Sequence, residues 1–462
     1  MKKIIGCLIF LFVFLVFFSS SARAQSQEDY TVGQKFIQKT TFAENPAVPL
    51  DPNRFAMFYL DQASQKMNLK IATISGNIIT DNQPYEATKE AGLGSMTALS
   101  PNKLVIVASN FAQIATVEGT NVTFGPSFPL ENMYMSSSVF ALNDHAFVTC
   151  YRKSTDAYHA FCSLGTVTDT TIGFPSKNIP LPSWGYEFSF AKIDDQSFLI
   201  SYSDNTNRVK IVLATFVNNT LRFVSAADFM SESNRNSSVV MLDKSTFVVG
   251  YTTYRSNANP WEIKSYVRIG KISSSTELEL NPEIEISSNN ASYVSLLPLS
   301  NNLLLTGYSE LDRVTSTYTG KIRLLRLNSD NSIALGKEYQ FDSGQMLFIS
   351  LARLSTDTFL IKYWDNDTGS LTSDLSYIVG AIQGVVLPEY TPFPAPILTT
   401  TPMTTTACKT TIGDTNCDGK IDDEDFKNLI RSFLKSFDKT SDFNNDGKSN
   451  LLDFEIWRRN RF

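Results

Sequence analysis

An all-β array of seven four-stranded blades, followed by a small all-α module built on two acidic loops, is the fold class this sequence predicts. Three observations predict it. Residues 42–390 carry a sevenfold repeat, that region lacks helical periodicity, and two short loops with alternating oxygen side chains stand near the C-terminus.

The repeat is clearest in Leu50-Asp51-Pro52-Asn53-Arg54-Phe55-Ala56-Met57-Phe58-Tyr59. It returns without gaps at Leu99–Ala108, Leu142–Tyr151, Ile193–Tyr202, Leu242–Tyr251, Leu299–Tyr308 and Leu354–Tyr363, in steps of 49, 43, 51, 49, 57 and 55 residues. An aliphatic anchor comes first, polar turn residues follow, and Phe or Leu stands five places on. Six of the seven copies end in Tyr, with Ala108 the exception. Each copy reads as strand, tight turn, strand. Val209–Leu213 and Val267–Ile272 then read as third strands, and Leu221–Val224 as a fourth.

Four short strands in about 50 residues is the pattern of a β-propeller blade. The region 25–390 thus resembles a seven-bladed β-propeller, on period and pattern, without a WD or kelch signature. A pair of β-sandwiches or a β-helix would also show a repeat. Ring closure protects the edges of so long an array, which favours the propeller. Copy seven is short after its third strand, ending at Gly384-Val385-Val386-Leu387-Pro388. The segment Gln34–Lys39 has strand character and precedes copy one, so it is expected to supply the outer strand of the last blade.

The first acidic loop runs from Asp414 to Asp425 and the second from Asp442 to Asp453. Asp414, Asn416, Asp418, Asp422 and Asp425 occupy loop positions 1, 3, 5, 9 and 12. Asp442, Asn444, Asp446, Asn450 and Asp453 do the same in the second loop. Gly419 and Gly447 stand at position 6, and the carbonyls of Lys420 and Lys448 would serve at position 7. That is the spacing of an EF-hand-type calcium loop, because a hard cation needs six to eight oxygens around a sharp turn. By carboxylate count the first loop, with four against three, should bind calcium more tightly. Phe426, Leu429, Ile430, Phe433, Leu434 and Phe437 recur at helical spacing after the first loop, and Phe454, Ile456 and Trp457 open a shorter helix after the second.

Loop, helix, loop, helix with Asp at position 12 resembles a type I dockerin module over 412–462. The resemblance implies two calcium ions, one per loop, and docking onto a cohesin-like partner. Positions 10 and 11, which in that family help choose the cohesin and often carry small hydroxyl residues, are Asp423-Glu424 and Leu451-Leu452 here. A tail that clasps its own ring, or another copy, is the other use of such a module.

Lys2-Lys3, an apolar run from Ile4 to Phe18 and an Ala-x-Ala end at Ala24 read as a secretory signal peptide over 1–24. The run is short for a membrane span. Residues 391–407 are rich in Thr and Pro and read as an extended linker, which leaves 408–462 as the calcium module. The mature chain would hold four cysteines. Of the three pairings, proximity favours Cys150 with Cys162 across a hairpin and Cys408 with Cys417, in an oxidising compartment. The net charge of −6 comes without a basic stripe, which argues against nucleic-acid binding.

Catalytic signals are few. His145 and His159 are the only histidines, and they have no nearby ligand partners in sequence. A Gly-x-Ser-x-Gly elbow and a phosphate loop are absent, as are Asp boxes. Asp194, Asp195, Asp243 and Asp357 sit where turn chemistry explains them. Trp184, Tyr186, Trp261 and Trp364 suit either sugar stacking or blade packing. Two readings result. One is an exported binding or adhesion protein without enzymatic activity, its propeller face holding a glycan or protein ligand. The other is a glycoside hydrolase or lyase on the same frame. Three or more carboxylates at the mouth of the central channel would favour the enzyme, and an apolar or Thr/Asn-lined mouth the binder.

Overall fold

The computed structural model describes residues 29–40 and 47–389, apart from short loop segments within 62–373. All of them lie in the first of the two units into which the chain divides, Met1–Phe393 and Pro394–Phe462. The signal segment, the linker and the calcium loops fall outside the described residues.

Seven antiparallel sheets follow one another along the chain, each with four strands, and in the first six these are laid from inside to outside in sequence order. Blades 1 to 6 span 48–88, 94–129, 133–180, 186–228, 234–285 and 290–343. In blades 1, 2, 5 and 6 the outer strand is broken into two short segments that both pair with the third strand. Inner strands of successive blades pack side by side around the centre. This is a seven-bladed β-propeller. Neither a pair of sandwiches nor a β-helix has this closed sequence of sheets.

The strands read as almost continuous apolar runs because both faces of each sheet are buried. Seven hydrophobic clusters fill the seven seams between neighbouring blades. On the second strand of blade 5, Phe247, Val249 and Tyr251 face blade 4, whereas Val248 faces blade 6. The residue five places after the aliphatic anchor faces the preceding blade in every copy, from Phe55 to Phe359. Phe247 lies opposite Gly270 on the third strand. A Cβ at Gly270 would stand 2.1 Å from that ring, so the glycine makes room for the aromatic.

The tight turns follow side-chain chemistry. The Asp243 carboxylate accepts from the Ser245 and Thr246 amides at 2.8 Å each, and Asp194 accepts from the Gln196 amide at 2.8 Å. Burial alone would push the Asp243 carboxyl up, but the bonds from Ser245 and Thr246 outweigh it and hold its pKa low. Turn chemistry therefore accounts for these acids.

Blade 7 joins the chain ends. Met346–Arg353, Thr358–Asp365 and Asp374–Gln383 supply its first three strands, and Asp29–Val32 with Phe36–Gln38 supplies the outer one. The expected closing strand is thus found, and it starts five residues earlier than Gln34. The Tyr30 hydroxyl accepts from the Leu324 amide of blade 6 at 2.9 Å. Lys35 Nζ lies 2.8 Å from Asp342 of blade 6 and also pairs with Asp365 of blade 7, while Lys39 pairs with Asp374.

Candidate functional site: a central cavity with a bulged rim

The inner strands of blades 4 to 7 share an irregularity near their start. Their pairing with the second strand slips by one residue between Tyr186 and Ser189, Arg235 and Ser238, Ser292 and Ser295, and Leu347 and Ser350. Each slip is a β-bulge, which bends the strand and re-aims a side chain. The residue two places before each serine is left-handed: Glu187, Asn236, Tyr293 and Phe348 have φ of 58°, 54°, 57° and 52°. For a Tyr or Phe this backbone conformation is strained.

The serines after the bulges tie the blades together. Ser189 Oγ accepts from the Val239 amide of the next blade at 3.1 Å, Ser238 from Leu296 at 3.1 Å, and Ser295 from Leu351 at 3.0 Å. Ser95 of blade 2 does the same for Val139 at 3.2 Å. The sequence carries this device in the open. Ser stands four places before the aliphatic anchor in copies two to seven, and Pro46 stands there in copy one.

These strands enclose a cavity of about 590 Å³ on the ring axis. Its aromatic wall includes Phe140, Phe190, Tyr186, Tyr293 and Phe348. Phe140 stacks on Phe190 at 5.3 Å, while Phe348 lies 4.9 Å from Tyr293 and 4.7 Å from Trp364. Ser95, Ser138, Ser237, Ser350 and Asn236 supply hydroxyls and an amide. Among the described residues, three charged side chains line it: Glu187, Arg152 and Lys362. Glu187 accepts from the Asn236 amide N–H at 2.9 Å and from the Ser203 hydroxyl at 3.3 Å, and a turned Asn236 side chain would donate to it as well. The Arg152 guanidinium stands 6.0 Å from the Tyr186 ring, a cation–π distance.

Tyrosines that close the repeat anchor the second strands outward. Tyr251 donates to Glu283 at 2.7 Å and Tyr308 to Glu338 at 2.6 Å, and Tyr363 donates to Asp342. Burial, reinforced by the facing carboxylates, pushes all three phenols well above 10.0.

Other candidates separate cleanly. Cys150 and Cys162 are directly paired across the second and third strands of blade 3 and form a disulfide, with Cα atoms 4.0 Å apart. His145 lies in an exposed turn beside Asp144, and His159 packs on Trp184 at 4.8 Å. Among the described residues, no group of three or more His, Cys, Asp or Glu is placed to hold a metal ion. Trp364 is buried against Phe348 and Tyr186 lines the cavity, whereas Trp261 lies outside the described residues. So do Cys408, Cys417 and both calcium loops. Sequence reasoning named Tyr186 but not Glu187, Asn236, Tyr293 or Phe348. A polar or aromatic residue six places before the anchor is the signal that would have found them.

No curated protein matches the chain. Among solved structures it is similar to the WD40 domain of SCAP from fission yeast, at 10% identity and a TM-score of 0.41, over 79% of this chain and 97% of that one. It is also similar to a polysaccharide lyase described as an ulvan lyase, at 8% identity and 0.49, over 75% and 94%. A protein of unknown function from Dyadobacter fermentans gives 9% identity and 0.40, over 78% and 99%. Residues 412–460 match the family profile of the dockerin type I domain. The chain is therefore a seven-bladed β-propeller followed by a dockerin type I module, with the family confined to that C-terminal segment.

Proposed function

We propose that this is an exported, non-enzymatic binding protein whose propeller holds a ligand in its central cavity and whose tail attaches it to a cohesin-like partner through calcium. The cavity carries the reading. Its described lining combines aromatic rings with serine hydroxyls and an Asn amide, the pattern of a recognition site. Glu187 is the single carboxylate among those lining residues. A glycoside hydrolase would call for two that converge on one bond.

The proposed organisation is a signal peptide over 1–24, the propeller over 25–390, a Thr/Pro-rich linker over 391–407 and the calcium module over 408–462. One ion would sit in each loop: on Asp414, Asn416, Asp418, Lys420, Asp422 and Asp425, and on Asp442, Asn444, Asp446, Lys448, Asn450 and Asp453. Oxygen donors alone make both sets suit calcium. Cys408 and Cys417 would staple the linker to the first loop. The Cys150–Cys162 disulfide supports a secreted or cell-surface location.

Titration of the mature chain with type I cohesin modules tests the tail. Binding is expected in calcium and lost in chelator, with Asp414→Ala and Asp442→Ala together acting as chelator does. Calcium binding with no cohesin bound would instead leave the tail as a clasp or a self-contained stabilising module.

A further inference from the structure

The left-handed residues of blades 4 to 7 occupy one position in four successive blades, so their side chains form a crescent at the rim of the cavity. The crescent has two halves. Glu187 and Asn236 are hydrogen-bonded neighbours and form the polar half. Tyr293 and Phe348 are in ring contact and form the aromatic half. Phe348 remains 39% exposed although three aromatic side chains meet there, so part of its ring is open to a ligand.

A bulky residue in left-handed backbone costs free energy. In blades 4 to 7 that conformation sets a hydrogen-bonding edge beside an aromatic face.

A pyranose ring has matching surfaces. Its axial C–H groups present an apolar face, and its equatorial hydroxyls present an edge of donors and acceptors. A carboxylate with four acceptor sites beside an amide suits vicinal hydroxyls, and an aromatic ring suits the C–H face. The charge of the lining adds a preference. Among the described lining residues Arg152 and Lys362 are the cations and Glu187 the carboxylate, in a chain whose net charge is −6. Arg152 is further placed beside Tyr186, at the edge of the crescent.

From this geometry we infer that the cavity binds an acidic saccharide: a hexuronate-containing chain with one sugar ring on the Tyr293–Phe348 face, its hydroxyls on Glu187 and Asn236, and its carboxylate toward Arg152 and Lys362. This rests on the reading of the cavity as a ligand site and specifies the ligand's chemistry.

The test is calorimetric titration of the full mature chain with trisaccharides of galacturonate, glucuronate, mannuronate and guluronate, beside neutral maltotriose, cellotriose and mannotriose. At least one acidic trisaccharide should bind about tenfold more tightly than the neutral ones, and salt should weaken it. Phe348→Ala should weaken binding by about tenfold whatever the charge of the sugar, whereas Arg152→Gln should remove the preference for acid. If Phe348→Ala fails to fold, Phe348→Leu keeps most of the volume and removes the ring. Absence of binding by every acidic trisaccharide overturns the inference, as does equal binding of neutral ones or indifference to both substitutions. A peptide that binds in the cavity and depends on Phe348 would overturn the saccharide class while leaving the ligand site standing. Cleavage of a bound uronate chain, seen as new reducing or unsaturated ends, would support the class and overturn the non-enzymatic reading.

Discussion

Blade 2 and blade 5 carry the same packing unit and both reach the cavity, yet among the described residues only blade 5 of the two brings a left-handed residue to it. Both have an aliphatic anchor, a large apolar residue five places on and a serine four places before, with Leu104 and Phe247 each facing the preceding blade. Blade 5 adds a bulge with Asn236 in left-handed backbone, whereas the described inner strand of blade 2, from Gly94, holds its register to Ala98. The elements shared by both belong to the ring, and the left-handed residues of blades 4 to 7 mark where the ring has been adapted.

The strongest attempt to break that division is to truncate the shared element in each blade. Phe247→Ala should cost about 3–5 kcal/mol and Leu104→Ala about 2–5 kcal/mol in chemical denaturation, because both leave a cavity in a closed seam. A loss in either blade of under about 1 kcal/mol would mean that the seams are not equivalent.

The next largest effect tests closure, which neither blade 2 nor blade 5 performs. Lys35→Met leaves Asp342 and the mostly buried Asp365 without their shared cation and should cost about 2 kcal/mol. Burial pushes the Lys35 pKa down, but the bonds to Asp342 and Asp365 outweigh it and hold it above 10.5. A raised lysine pKa gives stability that is fully present below 10.5 and lost as pH climbs through the folded value. The phenols of Tyr251, Tyr308 and Tyr363 act in the same pH range. Their raised values let the unfolded chain shed protons first, so stability falls above pH 10.0. These groups leave stability level across neutral pH and make it fall steeply above 10. Tyr308→Phe should blunt that fall, as followed by circular dichroism during alkaline titration.

The smallest effects sharpen the comparison most. Ser238→Ala removes the acceptor of the Leu296 amide and should cost about 1 kcal/mol. Asn236→Gly, two residues away, should change stability by no more than about 0.5 kcal/mol or raise it, since glycine accepts φ of 54° without strain. If Asn236→Gly proved as damaging as Ser238→Ala, the rim would be a packing device after all.

The repeat made the ring legible. Anchor, turn acid and aromatic each answer a local rule, and their recurrence at a blade-sized period leaves few folds to choose from. Closure was legible too, because the strand-like Gln34–Lys39 had no other blade to join. The cavity was not. The serine four places before the anchor recurs visibly, but that Ser95 and Ser238 accept from amides of separate blades is seen only in the fold. Tyr293 and Phe348 have strong strand propensity, and propensity says nothing of a bulge that turns them left-handed. Register slips depend on which residue of the second strand is met, and that information is shared between two strands.

The outer strand of blade 7 also sets an order of events during synthesis. Asp29–Val32 and Phe36–Gln38 are made first, but their partner Asp374–Gln383 emerges more than three hundred residues later. Until then the first-made segment has no sheet to join, and the blades already formed present an open seam on either side. The ring can therefore close only after nearly the whole propeller has left the ribosome, so its final docking step is long-range and slow compared with blade formation. Whatever holds back aggregation in that interval must act on the unpaired edge of blade 7.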